Sequence, residues 1–133
     1  MSPFLRGIIT CLDPYKFEEF VWEHFERQGH KVVALDGSGG RPDAVLVSFF
    51  GLHRTIVDAK AKERISFGDV DQVMRYVRKF HAFGGGRIYI CHDAEVGPNQ
   101  AKYAYGENVR IFRLGLNGRE TELDLHEIAH SPR

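Results

Sequence analysis

Residues 41–60, RPDAVLVSFFGLHRTIVDAK, place two β-rich runs back to back with a glycine between them. Few folds accommodate such a pair other than as adjacent strands of one sheet. The first run spans Pro42 to Phe49, the second His53 to Lys60, and Gly51 marks the turn. A hairpin folded about Phe50 and Gly51 sets Asp43 directly opposite Asp58. Opposed residues share a face with Cβ atoms roughly 4.5–5.5 Å apart, within reach of one divalent cation. Lys60, two residues beyond Asp58, projects to the same face. Two acids and a lysine therefore converge at one end of an apolar hairpin.

Pro42-Asp43 and Asp58-Ala59-Lys60 resemble the two halves of the signature of the PD-(D/E)XK nuclease superfamily. The resemblance implies an α/β, restriction-endonuclease-like core: a central mixed β-sheet flanked by helices in the order αβββαβ. It also implies a single domain over 1–133, with the core at about 15–92 and an α/β appendage at 93–133. Asp43 and Asp58 would hold Mg²⁺ or Mn²⁺ with the Ala59 main-chain carbonyl, and Lys60 would complete the catalytic set for hydrolysing DNA. The bare motif also reads as a strand-initiating proline followed by two solvated edge acids, so its context decides.

Charge separates the two. The chain has 133 residues and a formal net charge of zero, which speaks against a generic polyanion binder. The charge is unevenly spread, however: Lys60–Arg87 holds seven Lys or Arg against three acids, while both ends are acidic. Lys62, Arg64, Arg75, Arg78 and Lys79 fall in this basic middle and are candidate phosphate contacts. Cys11 and Cys91 stand far apart with no CxxC, which indicates neither a zinc site nor a disulfide framework. No apolar run is long enough to span a membrane and no signal-peptide pattern opens the sequence, so a cytoplasmic protein is expected.

Asp13-Pro14 predicts a helix entry and Gly29 a stop, with Phe17, Phe20, Val21, His24 and Phe25 as the buried stripe. Glu18 falls at the edge of that stripe, whereas Glu19, Glu23 and Glu26 line the solvated side. Phe17-Glu18-Glu19-Phe20, followed by Gly29-His30-Lys31-Val32-Val33, is similar to the first helix and strand entry of archaeal Holliday-junction resolvases. That likeness implies Glu18, rather than Glu19, as a further metal ligand; a structural ion pair is the other reading. A strand is expected over His30–Leu35. The loop Asp36–Arg41 joins strand to strand and so cannot be a P-loop. It is either a plain glycine turn or a DNA-facing flap in which Ser38 and Arg41 touch phosphate.

Ser66-Phe67-Gly68-Asp69 has capping-box form and predicts a helix running to about Phe83. Gln72 and Tyr76 fit the QxxxY pattern of RecB-like nucleases, which implies that both look towards the catalytic face; a surface Gln and an amphipathic Tyr is the alternative. Strands over Arg87–Cys91, Val109–Leu114 and Glu120–Leu125 and a helix over Pro98–Tyr105 complete the expectation, with a helical or frayed end.

His126-Glu127-Ile128-Ala129-His130 is a literal HExxH, the pattern of zinc peptidases. The three residues after it offer no third ligand, so the sequence favours the nuclease. The expected activity is a Mg²⁺-dependent endonuclease, structure-specific or restriction-like, acting as a homodimer. The alternatives are a RecB-like exonuclease or single-strand nuclease, and a non-catalytic nucleic-acid-binding domain of the same fold.

Overall fold

Asp13 accepts hydrogen bonds from the backbone N–H groups of Tyr15 (2.9 Å) and Lys16 (3.5 Å), and Pro14 takes the first turn. The helix they start, α1, runs Pro14–Arg27 and buries the stripe Phe17, Phe20, Val21, His24 and Phe25. Gly29 ends it at φ +84°, a left-handed conformation that glycine adopts without a Cβ penalty. The computed structural model describes residues 13–35, 44–49, 53–115 and 117–130.

After α1 come β1 (Lys31–Ala34), β2 (Val45–Phe49), β3 (His53–Lys60), α2 (Phe67–Lys79) and β4 (Gly86–Ile90). Then follow α3 (Pro98–Gly106), β5 (Val109–Leu114), β6 (Glu120–Glu122) and the short α4 (Leu125–Ala129). The six strands form one sheet in sequence order. The pairs β1–β2, β2–β3 and β5–β6 are antiparallel, whereas β3–β4 and β4–β5 are parallel and bridged by α2 and α3. This is the mixed α/β sheet expected, with the αβββαβ core intact.

Each face of the sheet is covered. Val45, Val47, Val57, Ala59, Tyr89, Phe112 and Leu114 pack under α1. Leu46, Ile56, Ile88, Ile90, Val109 and Ile111 pack under α2 and α3. Strand β3 alternates between the two, and so sends Ile56, Asp58 and Lys60 to the α2 side. Gly86 lets α2 come close, because a Cβ there would stand 2.2 Å from Val73 Cγ1. Far along the sheet, buried His24 on α1 meets Glu120 on β6, Nε2 to Oε1 at 2.7 Å. Tyr89 Oη donates to the same carboxylate oxygen at 3.2 Å.

Three expectations are corrected. The last strand ends at Glu122 rather than Leu125, because Asp124 caps α4, which Leu125 opens. The hairpin register differs by one residue from the predicted one: Val45 pairs with Val57, Leu46 with Ile56 and Phe49 with His53. Continued one step, this ladder carries Ala44, not Asp43, to the level of Asp58. The pairing ends at Phe49 and His53, so three residues span the turn instead of two. Helix α2 also stops four residues before Phe83. His81 takes φ +50°, and the N–H groups of His81 and Ala82 donate back to the carbonyls of Arg78 (3.4 Å) and Val77 (3.0 Å). Those two bonds are a Schellman termination, here built without glycine.

Candidate active site

The last turn of β3 and the first turn of α2 meet at a small cluster of charges. Ser66 begins α2 with a reciprocal box: Asp69 N–H donates to Ser66 Oγ at 3.2 Å, and Ser66 N–H to Asp69 Oδ2 at 2.8 Å. The box fixes Asp69, only 7% exposed, facing the end of β3. Lys60 Nζ lies 3.2 Å from Asp58 Oδ2 and 3.7 Å from Asp69 Oδ1, and it donates to Gln72 Oε1 at 3.2 Å. Lys62 Nζ reaches Asp69 Oδ2 at 2.5 Å.

Asp58 is the desolvated member. It is 2% exposed, and among the described residues its Oδ2 has no hydrogen-bond partner. The Lys60 ammonium stands 3.2 Å from it, at ion-pair distance. Burial pushes the Asp58 carboxyl up to about 7, and the Lys60 charge only partly offsets it. For Lys60, burial alone would lower the pKa, but Asp58, Asp69 and, more weakly, Glu18 hold it above the ordinary lysine value. Asp69 goes the other way: burial would raise it, yet the hydrogen bonds from Lys62 and the Ser66 N–H, with the Lys60 charge, keep it below the usual carboxylate range. Near neutral pH the ammonium keeps its proton and Asp58 is the group that titrates.

A buried carboxylate is the kind of hard oxygen donor that a divalent cation such as Mg²⁺ or Mn²⁺ takes. Among the described residues no three His, Cys, Asp or Glu side chains form a metal cluster. Asp43, like Ser38 and Arg41, lies outside the described residues.

The structure therefore brings together Asp58, Lys60 and Gln72, with Glu18 half-buried on α1 and within electrostatic range of Lys60. Glu19 is exposed. The Ala59 side chain turns to the α1 side, where it is buried. Tyr76 stacks on Phe80, with ring centroids 6.1 Å apart. The basic candidates disperse. Arg64 faces Glu95 and Arg78 faces Glu107, each at 3.8 Å. Lys79 lies over the Phe80 ring, and Arg75 is exposed. Asp69 was legible only as a capping residue. Its second role, as counter-ion to two lysines, comes from α2 docking its first turn against the end of β3.

The HExxH residues sit elsewhere, on the five-residue α4. The His126 and His130 rings stack 4.4 Å apart, and His130 Nδ1 bonds the His126 carbonyl at 2.8 Å. His126, with Tyr105, Arg110, Glu122 and Asp124, lines a half-open cavity of about 690 Å³ at the β5–β6 edge. The Asp58–Lys60 cluster contributes nothing to the lining of that cavity. We weight the buried charge cluster over it because chemistry needs placed titratable groups, not volume alone.

Residues 9–114 match the restriction endonuclease family Mrr_cat, most of the chain. Neither the curated proteins nor the solved structures include a match.

Proposed function

Since the chain belongs to the Mrr_cat restriction endonuclease family, a nuclease of the restriction-endonuclease type, we propose that it hydrolyses DNA phosphodiester bonds at the Asp58–Lys60 cluster with a divalent metal ion. The observation that carries this reading is the buried Asp58 oxygen left unmatched 3.2 Å from a lysine ammonium. Asp58 would hold Mg²⁺ or Mn²⁺ together with the Ala59 carbonyl and Glu18; the register that would set Asp43 opposite Asp58 is not the one observed, so Asp43 joins this set on the sequence resemblance alone. Bound there, such a cation polarises the scissile phosphate and acidifies a water.

The remaining work falls to side chains. Lys60 orients the attacking water or balances the charge that develops on the phosphate. Gln72, accepting from Lys60 at 3.2 Å, holds the ammonium in place. Asp69 restrains both Lys60 and Lys62. Lys62, Arg75 and Lys79 contact phosphates without reading sequence, as do Ser38 and Arg41. The Gln72 contact with Lys60 favours a second reading within the class, a RecB-like exonuclease or single-strand nuclease. In either form a cytoplasmic homodimer is the proposed working state.

The test is a substrate panel of duplex, flap, four-way-junction and single-stranded DNA with Mg²⁺ or Mn²⁺. Lys60→Ala should abolish cleavage yet retain DNA binding, since one charge is a fraction of a multi-phosphate footprint. DNA binding without cleavage under any divalent ion would favour the non-catalytic alternative. Activity that depends on His126 and Zn²⁺ would move the site to α4.

A further inference from the structure

The turn after α2 presents an almost bare aromatic ring on a rigid mount. Phe83 is 85% exposed. Its neighbours are held from every side. Ala82 is buried, His81 has φ +50° and Gly85 has φ +76°. Gly84 N–H donates to the Arg54 carbonyl at 2.8 Å, and Ile56 N–H donates to the Gly85 carbonyl at 3.0 Å. A Cβ on Gly84 would stand 2.2 Å from Thr55 Oγ1, so only glycine permits this close seating on β3. A left-handed non-glycine residue and a large ring left in water are both unfavourable, and here they occur in one tightly bonded turn.

The surroundings select the occupant. From Gln72 to His92 the sequence contains no acid, and Arg75 and Lys79 on α2 are exposed, whereas Arg78 faces Glu107 and Arg87 packs on the α1 side against Tyr89 and Phe112. Arg54, bonded to the turn through its carbonyl, lies on the same face of β3 as Asp58 and Lys60. Strand β3 runs towards the charge cluster and α2 runs away from it, so the turn and the cluster mark opposite ends of one track. Four residues of strand from Arg54 to Asp58 cover about 13 Å. The helical part of α2, seven residues on from Gln72 to Lys79, covers about 10 Å of the same track. At 3.4 Å per stacked nucleotide, the strand path is a spacing of about four nucleotides.

We propose that Phe83 is a stacking platform for an unpaired base of a DNA strand whose scissile phosphate lies at Asp58 and Lys60. The cut position rests on the nuclease reading; the stacking does not. The substrate class this implies is DNA with an overhang, flap or splayed end, in preference to blunt duplex. Stacking on an aromatic face tolerates any base, and the basic surround supplies the phosphate contacts.

The experiment measures anisotropy of labelled overhang and blunt DNA in EDTA for the wild type, Phe83→Ala and Phe83→Trp. Phe83→Ala should weaken overhang binding by about tenfold and leave blunt duplex unchanged. Phe83→Trp should keep overhang binding, with tryptophan fluorescence quenched beyond the wild-type background from Trp22. Equal loss on both DNAs, or loss on neither, overturns the proposal. So does conversion of a dimer to a monomer by Phe83→Ala, which would make the ring a self-association contact. Cleavage assays with Mg²⁺ run in parallel. Absence of cutting with the binding difference intact removes the nuclease reading alone, and cutting with no binding difference removes the stacking platform alone.

Discussion

Replacing Asp58 with Asn tests the electrostatics of the site without any substrate. Burial raises the Asp58 carboxyl from 3.8 to about 7. A raised acid favours the folded state while it is protonated, so its contribution is complete below the unfolded pKa and is lost as pH climbs through the folded one. Between about pH 5 and about pH 8 the wild type crosses about two units of that window, on the order of 3 kcal/mol. Asn has the same size and does not titrate. The assay is urea unfolding of both proteins in EDTA at the two pH values. The stability difference should shift towards the Asn variant by about 2–3 kcal/mol as pH rises. Saturating Mg²⁺ should close the gap by stabilising the folded wild type alone. Parallel pH profiles would refute the reasoning, because they would mean that Asp58 ionises as an ordinary carboxylate and its buried oxygen is satisfied.

Glu18→Gln should weaken Mn²⁺ binding by about tenfold or more, with Glu19→Gln near wild type in the same titration calorimetry. Equal effects would return Glu18 to a structural role. Ser66→Ala should cost about 1 kcal/mol in thermal or urea unfolding through the lost cap, with turnover kept. Asp69→Asn should lower turnover by about ten- to a hundredfold by freeing Lys60 and Lys62, as single-turnover cleavage would show. Gly86→Ala should cost about 1–3 kcal/mol in urea unfolding, because Val73, stiff and fully buried, stands 2.2 Å from the new methyl.

Local chemistry was legible wherever a residue's own backbone decides it. Asp13 and Ser66 announced their helices, and β3 and β5 lie where their apolar runs ended. The hairpin register was not legible, because it depends on how many residues make the turn, and Gly51 fits a two-residue or a three-residue connection equally well. The end of α2 was drawn too late for a related reason. Three successive glycines advertise a stop, whereas the residue that makes it, His81, adopts a left-handed conformation that its type does not signal. At the site, the Asp58–Lys60 spacing was local and readable. The meeting of Asp69 with two lysines is tertiary, set by where α2 lands on the sheet, and no spacing along the chain encodes it.

The bond between His24 and Glu120 joins residues 96 positions apart. Closing a loop that long costs on the order of 4 kcal/mol of chain entropy, against much less for the β3–α2–β4 unit, whose contacts are near in sequence. A folding nucleus built from local contacts would therefore form β3, α2 and β4 first, with Lys60 already beside Asp69, and α1 would dock on β6 late. A clasp absent from the transition state governs how slowly the native state opens, not how fast it forms. The helix that carries Glu18 is thus held against the sheet by its most distant partner, and the lifetime of the assembled domain depends on that contact.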